Sequence, residues 1–374
     1  ANCYVYAIMS PQRSTRPAPD EGVEAAFGEP AERRGGTSHG VPTQADVARH
    51  AGVSAQTVSR VVTGTDRVDE QTRERVQASM RELGYRPNRA ARALRSARYR
   101  SIGVIMSDLT SYGSVRTWEA ISRAGAASGY AVALVPTARF DRSAVAEAIE
   151  RARDQAVDGL VIAIGDHLSA GEDLPLPDDL PVVVVDASAL EDRSFVDTDQ
   201  TMGAGQAVEH LLALGHRTVH HVAGPERSYS AVRREQGWRT ALARAGCAPP
   251  PLERGDWSAQ SGYDAGCRLR ERPEVTAVFA ANDQMALGVL RALHEANIPV
   301  PARVSVVGFD DMPEAAQFWP PLTSIHQEFD EVGRAAVDVL LAGLDDREAV
   351  RRLLVPTRLV VRDSTAHAPR KANT

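Results

Sequence analysis

Residues 43–62 read TQADVARHAGVSAQTVSRVV and predict two short helices joined by a tight turn. Thr43 is a typical helix N-cap, apolar residues then recur with a helical period, and Gly52 marks the end of the helix. Ser54 is an N-cap for the second helix, and a third helix is predicted at residues 69–83. Two short helices around AGVS are typical of a helix-turn-helix, although the same turn also joins helices of ordinary bundles.

The second of these helices begins with side chains that suit contacts to DNA. Gln pairs with the edge of adenine, Arg pairs with guanine, and the Ala methyl group contacts the thymine methyl group. We therefore predict that bases are read by Ala55, Gln56, Ser59 and Arg60. Contacts to phosphates, which fix the register on the duplex, are predicted for several arginines and for Thr43 and Thr57, and Ser54 is a further predicted DNA-binding residue.

Charge is distributed unevenly along the chain. The 374 residues carry a net charge of −6, but residues 41–100 carry +6, residues 1–40 carry −1 and residues 101–374 carry −11. A basic module beside a large acidic body indicates one part that binds a polyanion and another part that binds something else.

The sequence after residue 100 predicts an α/β core. Short apolar strands alternate with helices of about ten to fifteen residues, which is typical of βαβ units on parallel sheets covered on both faces. The predicted strands are SIGVIMS, YAVALVP, GLVIAI, PVVVVD, TVHHVAG, TAVFAA and VSVVGFD. So many units exceed one ordinary sheet, and two lobes are expected.

Composition indicates where in the cell the protein is expected and whether it is expected to bind a metal or cofactor. The chain is 43% hydrophobic and 25% charged, contains no stretch that approaches a membrane span, and lacks a recognisable signal peptide at its start. A cytoplasmic location and no membrane partner are therefore expected. The cysteines Cys3, Cys247 and Cys267 show neither a metal-binding spacing nor a disulfide framework, so we expect no metal and no cofactor.

Two other classes of protein need to be weighed. A nucleotide-dependent enzyme would need a complete glycine-rich phosphate loop after a strand, whereas the nearest segment, GAGQAVEHL at 203–211, lacks the third glycine. A solute-binding protein serving a transporter would need an export signal and no basic headpiece. The sequence therefore predicts a protein that is not an enzyme.

The run from Thr43 to Leu94 resembles the headpiece and hinge of the lac repressor (LacI-type) family through VSRVV, VxxxTRxxV, LGYxPN and AxxL together. The resemblance continues to about Arg362 and implies a periplasmic-binding-protein-like core of two Rossmann-like lobes. The implied fold is thus an all-α helix-turn-helix headpiece followed by an α/β core. The implied function is a repressor of sugar-utilisation genes that a small sugar, for example a galactoside, releases from operator DNA.

Further expectations follow from this resemblance. A corepressor-dependent regulator with a non-sugar ligand remains the alternative, because some relatives use the ligand in that sense. The heptad helix that joins dimers into tetramers in the family has no counterpart after Arg362, so a homodimer on a pseudo-palindromic operator at the nucleoid is expected. In PNRAARAL, Asn88 would cap a hinge helix in the minor groove and Leu94 would wedge between base pairs, with Arg89 and Ala91 on the same segment.

The predicted ligand contacts lie mainly at the ends of strands. Asp186 ends VVVVD, Asn282 follows AVFAA and Asp310 ends VSVVGFD, and open α/β sheets bind ligands at the carboxyl ends of their strands. The segments ANDQMALG and GFDD resemble family signatures, which implies ligand contacts for Asn282 and Asp310. Each residue also has a structural alternative, because an Asp after a strand is often a helix N-cap.

Other predicted contacts come from helices and loops. Arg234 in VRREQGW resembles a family segment and carries a planar fork that suits paired hydroxyls, while Trp257 in GDWSAQSGY offers a flat surface to a sugar ring. Ser107 and Gln327 complete the predicted set. The histidines of GHRTVHH are expected to be structural.

These observations predict six segments. They are a disordered extension at 1–40, the headpiece at 41–86, the hinge helix and linker at 87–100, a first lobe at about 101–198 and 327–345, a second lobe at about 199–326 and 346–362, and a solvated tail at 363–374.

Overall fold

The computed structural model describes residues 42–63, 68–86, 98–107, 109–137, 141–163, 165, 176–186, 193–346 and 350–369. The chain divides between Pro87 and Asn88 into two compact units. None of the helices in these ranges is long and apolar enough to span a lipid bilayer.

The described residues of the first unit form three short helices, α1 Gln44–Ala51, α2 Ala55–Thr63 and α3 Glu70–Glu82. Thr43 caps α1 in a capping box: its hydroxyl oxygen accepts from the Asp46 N–H at 3.4 Å, and its own N–H donates to the Asp46 carboxylate at 2.9 Å. Gly52 ends α1 with φ 65°, a left-handed conformation that costs glycine little. Only residues 52–54 separate α1 from α2, so the predicted helix-turn-helix is confirmed.

A small apolar core holds these helices together. Val47 of α1, Val58 of α2 and Val76 of α3 are fully buried against one another, and Val53 and Met80 pack against them. A fully buried valine stabilises a fold by about 1.5–3 kcal/mol, which matters in a unit this small.

The second unit contains two six-stranded sheets covered by helices. Its strands are β1 Ser101–Met106, β2 Ala131–Pro136, β3 Gly159–Ala163, β4 Val182–Val185, β5 Ser194–Thr198, β6 His220–Ala223, β7 Glu253–Arg254, β8 Ala277–Ala280, β9 Ser305–Asp310, β10 Thr323–His326, β11 Arg352–Val355 and β12 Arg358–Val360. Its helices are α4 Tyr112–Ala127, α5 Arg142–Asp154, α6 Gln200–Ala213, α7 Tyr229–Arg244, α8 Ala259–Arg270, α9 Asp283–Glu295 and α10 Phe329–Asp345.

The first sheet has the order β11-β5-β4-β3-β1-β2 and is parallel throughout. The cores of this first lobe place α4 and α10 on one face and α5 on the other. The second sheet has the order β12-β10-β9-β8-β6-β7, with α6 and α7 on one face and α8 and α9 on the other. Burial on both faces explains why the strands read as continuous apolar runs.

The chain crosses between the lobes three times, after β5, after β10 and after β11. The predicted second lobe was wrong for residues 352–355, because β11 pairs with β5 in the first sheet. The chain then returns to the second sheet as β12, which runs antiparallel to β10. No helix lies between β11 and β12 in the element order. The periodicity of helices in the sequence therefore could not show that the chain changes sheets at this point.

The predicted solvated tail is also wrong in part, because Asp363 and His367 are exposed but Ser364 and the backbone up to Ala368 bond to the second lobe. Ser364 is fully buried; its hydroxyl donates to the Val306 carbonyl at 2.6 Å and accepts from the Thr323 N–H at 2.8 Å. The N–H of Ala368 donates to the Leu214 carbonyl at 2.9 Å. The charged composition of this run predicted exposure, whereas its small residues let the backbone bond to the second lobe.

Candidate functional site

A cavity of about 210 Å³ lies between the two lobes, at the carboxyl ends of their strands. The second unit brings all seven predicted ligand contacts together around it, although they come from distant parts of the chain. They are Ser107, Asp186, Arg234, Trp257, Asn282, Asp310 and Gln327. We call this cavity the cleft.

Arg234, in the second turn of α7, is held by several partners. Its Nε donates to Gln200 Oε1 at 2.8 Å and its Nη1 donates to the Ala281 carbonyl. Its guanidinium carbon lies 3.8 Å from the centroid of the Phe309 ring, a cation–π distance. Burial lowers the pKa of Arg234, and nearby carboxylates led by Asp310 oppose that effect. These contacts therefore fix the position and orientation of the Arg234 guanidinium group in the absence of a ligand.

Asp310, at the end of β9, is linked by hydrogen bonds to the segment in which the chain crosses between lobes. Gln327 Nε2 donates to Asp310 Oδ1 at 2.6 Å, and Gln200 Nε2 donates to Gln327 Oε1 at 3.2 Å. Burial raises the pKa of Asp310 to about 6, while Arg234 opposes the shift. Side chains beside two of the three crossings thus form one network with the cleft.

Trp257 is held in place from two sides. Asn282 donates from Nδ2 to the Trp257 carbonyl at 3.0 Å, while its Oδ1 caps α9 by accepting from the Met285 N–H at 2.8 Å. Gly224 packs under the indole, where an added Cβ would lie 2.4 Å from a ring carbon. Asn282 therefore has both of the roles considered from the sequence, since it is the N-cap of α9 and also lines the cleft.

Asp186 shares the wall of the first lobe with Asp197. Val185 pairs with Val196, and Asp186 and Asp197 are the residues that directly follow this pair on the two neighbouring segments. Burial, and then the Asp197 charge, raises the pKa of Asp186 well above its ordinary value. Burial raises the pKa of Asp197 to about 7.

Several lining residues were not predicted from the sequence. They include Asp197 and Gln200 at the first crossing, Phe329, and the polar residues Ser111, Ser114, Thr117, Ser228 and Ser230. Ser111 and Ser228 are the N-caps of α4 and α7. A serine cap five residues after a strand end was the available signal, because it places the helix N-terminus at the same edge as the strand ends. Asp197 gave a weaker signal, since SFVDT is partly polar.

The histidines of GHRTVHH pack inside the second lobe. His221 is fully buried, stacks on Phe279 with centroids 4.7 Å apart, and bonds through Nδ1 to the Phe279 carbonyl at 2.9 Å. His216 bonds to the side chains of Thr276 and Ser305 at 3.0 and 3.1 Å. Over the ranges that the structure describes, no group of three or more His, Cys, Asp or Glu side chains suits a metal ion.

In the first unit, the start of α2 is exposed in the way a reading helix requires. Ala55 and Gln56 are exposed, as is Arg60 one turn later, and Ser59 is half-buried. Gln44 Nε2 donates to the Ala55 carbonyl at 2.7 Å and fixes the N-terminus of α2 against α1.

The other predicted DNA-binding residues have structural roles as well. The Ser54 hydroxyl caps α2 by accepting from the Thr57 N–H at 3.1 Å, and Thr43 caps α1. Helix N-termini favour anions, so a capping residue can also face a phosphate. The predicted hinge contacts Asn88, Arg89, Ala91 and Leu94 lie outside the described residues.

Comparison with known proteins agrees with these two units. Residues 43–88 match the family described as bacterial regulatory proteins, lacI family, and residues 208–365 match a periplasmic binding protein-like domain. The lactose operon repressor of Escherichia coli (strain K12) is 38% identical over 333 residues, which cover 86% of this chain and 89% of that protein.

Two solved structures are similar over most of the chain. The lac repressor dimer bound to operator and the anti-inducer ONPF gives a TM-score of 0.75 at 37% identity, covering 87% of this chain and 99% of that one. The complex of the transcriptional regulator CelR with cellobiose gives a TM-score of 0.64 at 32% identity, covering 86% and 99%. The chain therefore belongs to the LacI family of bacterial regulatory proteins.

Proposed function

We propose that this protein is a sequence-specific transcriptional repressor that a small sugar releases from its operator. One observation carries the proposal: a single chain combines a helix-turn-helix whose second helix begins with exposed polar residues and a buried polar cleft between two lobes. No catalytic role is assigned to any cleft residue. The relatives are transcriptional regulators, as the sequence predicted, and not enzymes.

In this proposal the headpiece reads DNA in two ways. Ala55, Gln56, Ser59 and Arg60 contact base edges in the major groove, and Thr43, Ser54 and Thr57 contact phosphates. The segment with Asn88, Arg89, Ala91 and Leu94 enters the minor groove. A homodimer presents two headpieces to the two halves of a pseudo-palindromic operator, on the nucleoid in the cytoplasm.

The cleft supplies the signal. Arg234, Asp310 and Asn282 offer donors and acceptors to sugar hydroxyls, and Trp257 offers a flat surface to the ring, while Ser107, Asp186 and Gln327 complete the contacts. Because Gln327 lies in a crossing segment and bonds to Asp310, occupancy of the cleft can change the relative orientation of the lobes. A ligand shifts the equilibrium only by its difference in affinity between the two arrangements.

Fluorescence anisotropy with the full-length protein tests the proposal. A duplex selected from a random pool should bind far more tightly than random competitor at moderate salt, and a panel of mono- and disaccharides should contain one that weakens the complex. A sugar that strengthens the complex would instead favour the corepressor alternative. Equal affinity for selected and random duplexes would contradict the proposal.

A pair of arginine variants separates base reading from general charge. Arg60→Ala and Arg81→Ala each remove one exposed positive charge, from α2 and α3 respectively. Arg60→Ala should weaken binding to the selected duplex by about 1–3 kcal/mol and relax specificity at one position. Arg81→Ala should leave the preference between duplexes unchanged.

A further inference from the structure

The described lining of the cleft contains more acidic than basic side chains. Arg234 is its one basic residue, whereas Asp186, Asp197 and Asp310 all line it. Arg234 lies 3.6 Å from Asp310, so these two charges largely offset each other. The Arg234 charge also acts on Asp186 and Asp197, and Arg233 acts on Asp197, but neither arginine forms a direct ion pair with these two carboxyls in the described residues.

The backbone register keeps this carboxyl pair together. Both residues stand at the carboxyl ends of adjacent parallel strands, next to the paired Val185 and Val196. Asp197 is only 5% exposed, and Asp186 Oδ1 is buried without a hydrogen-bond partner. Two carboxyl groups placed and buried in this way do not both ionise readily, and the pKa of Asp197 is about 7, so the pair approaches one negative charge only above about pH 7.

We infer that Asp197, together with Asp186, selects the effector by its charge, so that the cleft prefers a sugar with a protonated amino group. This inference rests on the proposed function of the cleft as the effector site. An ammonium group has three donors and no acceptor, so it can bond to the unpartnered Asp186 oxygen and offset the charge of the pair. An uncharged sugar binds less tightly, because its hydroxyls leave that charge in place.

The same pair excludes anionic ligands. A sugar acid or a sugar phosphate would add a negative group beside a buried negative charge, where the effective dielectric constant is low. Arg234 compensates only in part, because its single positive charge is shared among Asp310, Asp186 and Asp197 and lies nearest to Asp310. Asp197 is therefore a specificity-determining residue that acts partly by repulsion.

Calorimetry on one sugar scaffold tests this inference. The full-length chain is titrated at pH 7.5, where Asp197 is mainly ionised and much of an amino sugar is still protonated, with galactosamine, galactose, galacturonic acid and galactose 6-phosphate, and then with the corresponding glucose series. We expect the amine of the better-binding series to bind at least about tenfold more tightly than its uncharged sugar, and the two anions to bind too weakly to measure.

Asp197→Asn is the informative variant, because it keeps the shape of the side chain and removes the acid. The preference for the amine should fall to within about threefold, while the uncharged sugar should bind about as before. Asp264→Asn, on the exposed side of α8, is the matched control and should preserve the preference. Thermal unfolding checks folding, and Asp197→Ser replaces Asp197→Asn if that variant is unstable.

The outcomes separate this inference from the function on which it rests. If the uncharged sugar or an anion binds as tightly as the amine, or if Asp197→Asn keeps the full preference, the charge selection is wrong. The proposed function then still stands, provided that one of the sugars releases the operator. If no sugar of either series binds, this inference is overturned, and the proposed effector site is overturned as well if no member of the mono- and disaccharide panel affects the operator complex.

Discussion

Arg234 and Asp310 form an ion pair at the base of the cleft, with Nη2 and Oδ1 3.6 Å apart and both side chains more than nine-tenths buried. This separation is longer than a hydrogen bond, so the two groups attract each other without satisfying each other. A hydroxyl group of a ligand can accept from Arg234 and donate to Asp310 at once. The two charges thus offset each other in the folded protein, and both groups can still bond to a polar ligand.

Removing the arginine should therefore affect both stability and ligand binding. Arg234→Ala leaves the Asp310 carboxyl buried without its cation and should lower the free energy of unfolding by about 3 kcal/mol. It should also abolish the rise in melting temperature that a bound sugar produces by mass action. Arg291→Ala removes an exposed arginine paired with Glu295 and should change neither quantity measurably. A sugar-induced shift that persists in Arg234→Ala would argue against the proposed contact.

Gln56 should determine which operator is preferred. Its side chain is exposed at the second position of α2, where a change of side chain alters contacts to base edges without disturbing the core. Gln56→Arg should move the preferred base at one operator position towards guanine, as measured by selection from a random duplex pool. Gln77→Arg, exposed on α3, adds the same charge and serves as the control. The proposed reading role fails if both variants select the wild-type sequence.

Leu94→Ser should separate DNA binding from effector binding. The prediction comes from the sequence of the hinge, in which an apolar residue among arginines suits insertion between base pairs. Operator affinity in a gel-shift titration should fall by at least about a hundredfold, which corresponds to about 2.7 kcal/mol. The melting shift produced by sugar should stay the same. Unchanged operator affinity would refute the wedge role.

His221 should make the second unit sensitive to acid. Burial lowers its pKa from 6.5 to about 4, so the folded protein holds it neutral while the unfolded chain protonates it below about pH 6.5. The free energy of unfolding therefore keeps its full value above pH 6.5. It decreases as the pH falls towards about 4, by up to about 3 kcal/mol. Chemical denaturation at pH 5 and pH 7.5 measures it.

A pair of histidine variants isolates this contribution. His221→Gln should reduce the difference in stability between the two pH values, whereas the exposed His294→Gln should keep it. The acidic residues of the cleft act in the opposite direction, since a raised carboxyl pKa destabilises the fold as the pH rises. A difference that is the same in wild type and His221→Gln would show that other groups dominate.

Much of the fold was predictable because local signals and burial agree. Thr43 and Gly52 fix the two ends of α1 by capping and by a left-handed turn, and both are visible in the sequence. Seven apolar runs became strands of two sheets because helices cover both faces of each sheet. The polar residues Asp186, Asn282 and Asp310 were recognisable as site candidates because they follow such runs.

The tertiary structure alone decided features that depend on contacts between distant residues. The pairing of β11 with β5 and the burial of Ser364 depend on partners more than forty residues away, so no local pattern reports them. Asp197 is a similar case: its position in SFVDT gives little sign of a site, and only the register against β4 sets it beside Asp186. Sequence determined which segments fold and what chemistry they carry, because propensity and periodicity are local. The packing of the two lobes decided which charges meet in the cleft, because electrostatic interaction depends on distance in space.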